Sequence, residues 1–252
     1  MPDPDTLSGS GIRFARHRTP GTLRELRRAV DAAFPVDESG LTGMEIGAYR
    51  AHVLEVQTEL NASDFVRRLC QEIQDEITDA IGEDRFFIQT NLYLRAARPE
   101  TGGNREAIGW HRETFYGPNM ERSVNIWTPV RGVSARNTLR FVPGSQAIPE
   151  SEIRTVSVAD DVTEKGSAGN RIGFLYSPKV IQSGVDLEAS QPMEAPEGCS
   201  ALFPGLLIHG AGHNLDSQIR FSVDFRILPF SAYSSSSKAY HLASGKPYFE
   251  LF

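Results

Sequence analysis

Residues 85–95 read RFFIQTNLYLR, and in this stretch the chain changes its rhythm. Before it, apolar residues recur every three or four positions; within it, aromatic and branched residues crowd into a strand-like run. Upstream, TLRELRRAVDAAF carries Leu23, Leu26, Val30 and Phe34 on one stripe, which predicts a helix. Thr42 is placed to cap a second helix with Ile46, Tyr49, Val53, Val56 and Leu60 on its inner side. A third helix is predicted after Ser63, with Phe65, Leu69, Ile73, Ile77 and Ile81 inward and Gly82 as its stop.

Downstream, strands are predicted at AIGWHRE (107–113), RSVNIWTPV (122–130), TLRFV (138–142), EIRTVSV (152–158), RIGFLYS (171–177), CSALFPGLLIHG (199–210) and IRFSVDFRIL (219–228). Turn-forming clusters such as VPGS, APEG and HNLDS separate them. About eight short strands behind a helical prefix predict a mainly β chain with N-terminal helices, folded as a double-stranded β-helix (a cupin-like jelly roll). A β-sandwich with other connections is the alternative. A single domain is expected over 1–252, divided as a helical prefix 1–84, a jelly-roll core 85–230 and a C-terminal segment 231–252.

Composition narrows the partners. The formal net charge is −6, so a broad basic surface for nucleic acid or an anionic membrane is not expected. The first residues carry no apolar run resembling a signal peptide, and no stretch approaches the roughly 20 apolar residues of a membrane span. Two distant cysteines, Cys70 and Cys199, give no disulfide framework and suit a cytoplasmic setting.

The sharpest local feature is His111-Arg112-Glu113. Along a strand, residues i and i+2 face the same side, so an imidazole and a carboxylate would converge from rigid backbone. Taken alone, the triplet also fits a structural histidine beside a surface glutamate. A third ligand from elsewhere would complete a facial metal site, and His209, at the end of the apolar run ALFPGLLIHG, is a candidate. At the eleventh position beyond His209 stands Arg220-Phe221-Ser222. Arg220 and Ser222 share a strand face and can hold a carboxylate by charge-assisted bonds. The turn between them is expected to return this strand antiparallel beside the His209 strand. An edge-strand arginine on the surface is the plainer reading if no metal is near.

Trp110-His111-Arg112-Glu113, Leu139-Arg140-Phe141-Val142-Pro143-Gly144-Ser145-Gln146, His209-Gly210-Ala211-Gly212-His213-Asn214 and Arg220-Phe221-Ser222 together resemble the phytanoyl-CoA dioxygenase-like branch of the iron(II)/2-oxoglutarate oxygenases. The likeness runs from about residue 85 to 228. It implies His111, Glu113 and His209 as iron ligands, Arg220 with Ser222 on the distal carboxylate of 2-oxoglutarate, and O2 as co-reactant. The family's usual carboxylate is aspartate; Glu113 keeps the charge and reaches one methylene further, and its presence argues against halogenation. His213 competes with His209, but the spacing to Arg220 matches the family for His209.

Further lining positions are Gln89, Asn91 and Tyr93, which alternate along their run, and Asn125 and Trp127, the latter where the family often sets an aromatic near the cosubstrate. Each also fits ordinary core packing or a satisfied buried amide. Arg112, Phe115 and Tyr116 are expected beside the metal and against substrate. His17, His52 and His241 show no partner pattern. HRETFYG with IQTNLYLR resembles oxygenases of oligosaccharide-antibiotic pathways, including the orthosomycin type. The expected reaction is hydroxylation or oxidative ring closure of a small polar, carbohydrate-derived substrate. Hydroxylation of an amino acid, or a jelly-roll sugar-binding or isomerase module without iron, are the alternatives.

Overall fold

A computed structural model of the chain describes residues 10–35, 39–100, 109–117, 120–157, 179–233 and 245–252. Its helices are α1 (Gly21–Ala33), α2 (Ser39–Thr42), α3 (Ile46–Asn61), α4 (Phe65–Glu72) and α5 (Gln74–Ile81). Thr42 closes the short α2 rather than capping α3; the carboxylate of Glu45 accepts from the Ala48 amide at 3.0 Å and does the capping. The third predicted helix is two. Ile73 leaves helical geometry (φ −125°, ψ 23°), and its amide closes α4 on Cys70 before α5 begins. The apolar stripe nevertheless runs on, since Leu69, Ile73, Ile77 and Ile81 are all buried. Gly82 ends α5 in the left-handed region at φ 69°, as its sequence position predicts.

The strands are β1 (Arg13–Arg16), β2 (Phe86–Gln89), β3 (Tyr93–Ala97), β4 (Val124–Arg131), β5 (Leu139–Phe141), β6 (Arg154–Ser157), β7 (Lys179–Ser183), β8 (Gln191–Pro192), β9 (Cys199–Pro204), β10 (His209–Ala211), β11 (Arg220–Pro229) and β12 (Phe249–Leu251). A large sheet runs β1-β9-β4-β11-β2-β12, with β3 also paired to β11. A small sheet runs β10-β5-β8, and β6 and β7 form a ribbon. Every pairing is antiparallel. The architecture is the mainly β double-stranded β-helix with helices packed on one side.

Alternation along the strands divides the interior in two. On the outer face of the large sheet, Phe86, Ile88, Leu94, Ile126, Leu202, Val223, Phe225 and Ile227 merge with Leu26, Val30, Val53 and Leu69 of the helices. On the inner face, Trp127, Ala201 and Phe203 meet Phe141, Met193 and Leu207 from the small-sheet side. Polar residues of the inner face line the space between the sheets.

The connections differ from the sequence expectation at three places. RFFIQTNLYLR is two strands, because residues 90–92 leave the sheet. Asn61 bonds both the amide (2.9 Å) and the carbonyl (3.1 Å) of Leu92, and Thr90 turns its amide to Tyr248. CSALFPGLLIHG is also two strands in different sheets. Proline cannot donate at Pro204, and Gly205 turns the chain from β9 toward β10. Consequently β11 does not lie beside β10; it pairs with β4, β2 and β3 across the barrel. Asn214 secures the crossing segment, its amide donating to Ala97 and Gln218 carbonyls at 2.8 Å each. The large sheet also takes β1 from the prefix and β12 from the C-terminal segment. The strand predicted at 171–177, residues 107–108 of another, and His241 lie outside the described residues.

Candidate metal centre

The segment around His111 is not a full strand. His111 forms a single antiparallel bridge to His209, and Glu113 opens a 3-10 turn, Glu113–Phe115. Arg112 between them is extended (φ −126°, ψ 158°), so His111 and Glu113 still project to one side and Arg112 to the other. The two bridged histidines present their rings to each other with centroids 4.3 Å apart. Glu113 Oε1 lies 3.9 Å from His209 Nε2. Ligand atoms of all three residues fall within 4.8 Å of one another, and all three side chains are buried.

Each imidazole is oriented by its own backbone. Nδ1 of His111 lies 2.8 Å from the Gly109 carbonyl, and Nδ1 of His209 lies 2.9 Å from that of Leu207. A carbonyl only accepts, so Nδ1 carries the proton and Nε2 keeps its lone pair in the neutral ring. Burial, reinforced by neighbouring His209, pushes His111 down to about 3; burial likewise lowers His209. Burial works to raise the Glu113 carboxyl, but Arg226, His111 and His209 together outweigh it and hold the group below its usual range. Two neutral imidazoles and one carboxylate are the donor set that suits non-haem iron(II) with open positions.

The segment Pro143-Gly144-Ser145-Gln146 clamps both histidine-bearing stretches. Ser145 Oγ accepts from the Ile208 amide at 2.8 Å, and the Val142 amide donates to the Ile208 carbonyl. Arg112 donates to the Ser145 (2.7 Å) and Ile148 (3.0 Å) carbonyls. Arg112 therefore points away from the centre, and Phe115 packs with Val142, Ile153, Ile181 and Ile208. Of the three residues expected against substrate, Tyr116 alone meets a ligand, edge-on to His111 with centroids 5.5 Å apart. Gly205 meets Glu113 from below: its carbonyl accepts from the Glu113 amide at 2.7 Å, and its own amide bonds Ser123.

The predicted cosubstrate residues share one face. Register pairs Asn125 with Arg226, Trp127 with Asp224 and Pro129 with Ser222, which sets these side chains and Arg220 on the inner side of the large sheet. Arg220 is buried, and its Nε and Nη1 have no partner among the described residues; the same holds for Ser222 Oγ, Asn125 Nδ2 and Trp127 Nε1. Burial, with the like charge of Arg95, brings the Arg220 guanidinium down to about 10, so it stays a cation at neutral pH. Gln89 differs. Its carbonyl accepts from the Arg226 amide at 3.0 Å, which fills the gap where β2 and β3 part, and Nε2 lies 3.4 Å from the Tyr93 hydroxyl. His213 is exposed and paired with Glu100 at 2.6 Å, apart from the ligand cluster.

Sequence reasoning missed a row of charges behind Glu113. Arg226 donates to Glu113 Oε1 (3.0 Å) and to Asp224 Oδ2 (3.1 Å), and Arg95 grips Asp224 through Nε (2.5 Å) and Nη2 (2.9 Å). The available signal was the alternation Arg220, Ser222, Asp224, Arg226 along one strand. Polar and charged residues at every second position of an otherwise apolar run are out of place unless they face a polar interior. His17, without an evident partner in sequence, is buried between Glu72 and Ser200, each at 2.8 Å.

A family model described as phytanoyl-CoA dioxygenase matches residues 19–222, more than half of the chain, and the chain belongs to that family. It is an iron(II)- and 2-oxoglutarate-dependent dioxygenase. Among solved structures, EvdO2 from Micromonospora carbonacea var. aurantiaca, complexed with 2-oxoglutarate, is similar at TM-score 0.58 and 17% identity over 88% of each chain. The epimerase SnoN, in complex with Fe3+, alpha ketoglutarate and nogalamycin RO, gives 0.51 and 17% over 98% of this chain and 95% of its own. EctD from S. alaskensis, with 2-oxoglutarate and 5-hydroxyectoine, gives 0.53 and 16% over 97% and 80%. At these identities the likeness establishes the fold. No curated protein sequence matches the chain.

Proposed function

We propose that this dioxygenase hydroxylates, or oxidatively closes a ring in, a small polyhydroxylated substrate such as a sugar or an oligosaccharide natural product. In this reading His111, Glu113 and His209 hold Fe(II). Arg220 and Ser222 hold the distal carboxylate of 2-oxoglutarate, and Asn125 and Trp127 offer it further N–H groups.

One observation carries the assignment: a buried guanidinium, hydroxyl, carboxamide and indole N–H, all short of partners, lie on the face that also reaches the ligand cluster. Buried donors without acceptors are costly, and an anion is the group that satisfies them together. Asp224 connects the two regions, since its charge acts on Arg220 and on His209 alike. The bound iron would activate O2 while 2-oxoglutarate is converted to succinate and carbon dioxide, and a substrate C–H bond is oxidised.

The protein's own share is placement and exclusion of water. Backbone carbonyls fix the imidazole tautomers, and Arg226 donates to the Glu113 carboxylate and favours its ionised form. Trp127, Phe141, Phe203 and Leu207 form an apolar wall. Tyr116, about one-third exposed, stands at the rim against His111, and the hydroxyls of Tyr93 and Tyr248 meet at 2.7 Å. Aromatic faces beside hydrogen-bonding groups suit sugar rings. SnoN, a protein of nogalamycin biosynthesis, supports a substrate from a biosynthetic pathway. Cys70 and Cys199 are buried and unbridged, which suits the cytoplasm.

Succinate release in air, with Fe(II) and 2-oxoglutarate, tests the substrate class. Stimulation by members of a saccharide and oligosaccharide-antibiotic panel is expected. Stimulation by free amino acids alone would move the substrate to that class.

A further inference from the structure

We propose that Arg226 is a positioning residue that presets Glu113 for the metal. The inference rests on Glu113 being a ligand, as proposed above.

Glutamate has one more rotatable bond than aspartate, and holding it in one rotamer costs side-chain entropy. Glu113 also sits at the head of a 3-10 turn rather than inside a paired strand, so its main chain constrains it less than a sheet would. Something else must aim the carboxylate. Arg226 Nη2 donates to Oε1 at 3.0 Å, and the same oxygen lies 3.9 Å from His209 Nε2. A carboxylate oxygen has two lone-pair directions, so one can be taken by the guanidinium while the carboxylate still faces the imidazoles.

Arg226 is itself held from two sides. Its main-chain amide is tied to Gln89, and its Nη1 to Asp224, which Arg95 grips in turn. The result is a row of alternating charge, Arg95–Asp224–Arg226–Glu113, buried except at the half-buried Arg95 and anchored in paired strands at Arg95, Asp224 and Arg226. Arg226 lies on the same strand face as Arg220 and Ser222. A single rigid element, β11, thereby fixes both the carboxylate clamp and the aim of the metal's own carboxylate. Lysine would not substitute fully, since one ammonium lacks the guanidinium's fork of donors for two carboxylates.

The competing account is that Arg226 only balances the charge of Asp224. Removing it would then relieve repulsion of a dication and tighten metal binding. Titration of the full-length protein with Co(II), followed by its visible absorption, separates the two. Arg226→Met should weaken Co(II) binding by about tenfold, the lower end of what lost partners of metal ligands cost. Arg226→Lys should fall between, and Arg226→Met should add nothing in a Glu113→Ala background. Unchanged or tighter binding, or an equal loss without Glu113, would overturn the proposal. Should Arg226→Met not fold, Arg226→Lys decides: weaker Co(II) binding supports the role, and wild-type affinity refutes it. Co(II) binding that ignores Glu113→Ala and His209→Ala would instead defeat the ligand assignment itself.

Discussion

The main chains of His111 and His209 bond each other in both directions, at 2.9 and 3.0 Å, so two residues far apart in sequence form a directly opposed antiparallel pair. Opposed residues in such a pair point to the same side. Imidazole proximity is therefore a property of backbone pairing, and the neighbouring Ser145 and Arg112 contacts stiffen it. The placement of both imidazoles thus follows from the main chain, and a centre that holds three groups around one ion requires such rigid support.

Replacing Arg220 by alanine should weaken 2-oxoglutarate binding while leaving the metal in place. A charge-assisted pair at about 1.5–3 kcal/mol corresponds to a roughly 10- to 150-fold loss. Calorimetric titration of the Co(II)-loaded variant checks this; equal loss of Co(II) and 2-oxoglutarate would remove Arg220 from the clamp.

Gly205→Ala should damage the centre from beneath. A Cβ there would collide with Ser123 Oγ, stand 2.8 Å from the Met120 carbonyl and press on Glu113 Cβ at 3.2 Å. Overpacking of this kind costs about 1–3 kcal/mol. Thermal unfolding should shift to lower temperature and Co(II) binding should weaken with it. A variant with wild-type melting and wild-type affinity would show that the segment yields freely.

His17 makes stability depend on pH. Burial lowers its pKa despite the pull of Glu72, so the folded protein keeps the ring neutral where the unfolded chain protonates it. Below the unfolded value of about 6.5 the unfolded state binds more protons, and stability falls with pH. His111 and His209 act with the same sign in metal-free protein. The contribution of His17 is read from the difference: His17→Gln should show a shallower fall in melting temperature between pH 7 and pH 5 than the parent. Parallel curves would mean that His17 is protonated equally in both states.

The jelly roll and its helical cover were legible because they rest on periodicity, and the Phe65–Ile81 stripe survives even where the helix breaks at Ile73. Strand ends were not. Nothing local at residues 90–92 announces that Asn61, on a helix, will satisfy Leu92 and split the run in two. The pairing partner of β11 was equally hidden, since a loop length cannot say whether the chain returns in the same sheet or crosses to the facing one. The candidate ligands could be picked out because their chemistry is scarce in an apolar run. Arg226 carries no such mark in sequence: an arginine near a carboxylate is most often at the surface, and only burial distinguishes the two cases.

The most direct measurement adds Fe(II) and then 2-oxoglutarate to the protein without oxygen and records the visible spectrum. The account predicts a weak charge-transfer band that is absent in His111→Ala, Glu113→Ala and His209→Ala. No band in the parent protein, or a band that persists when His209 is removed, would contradict it.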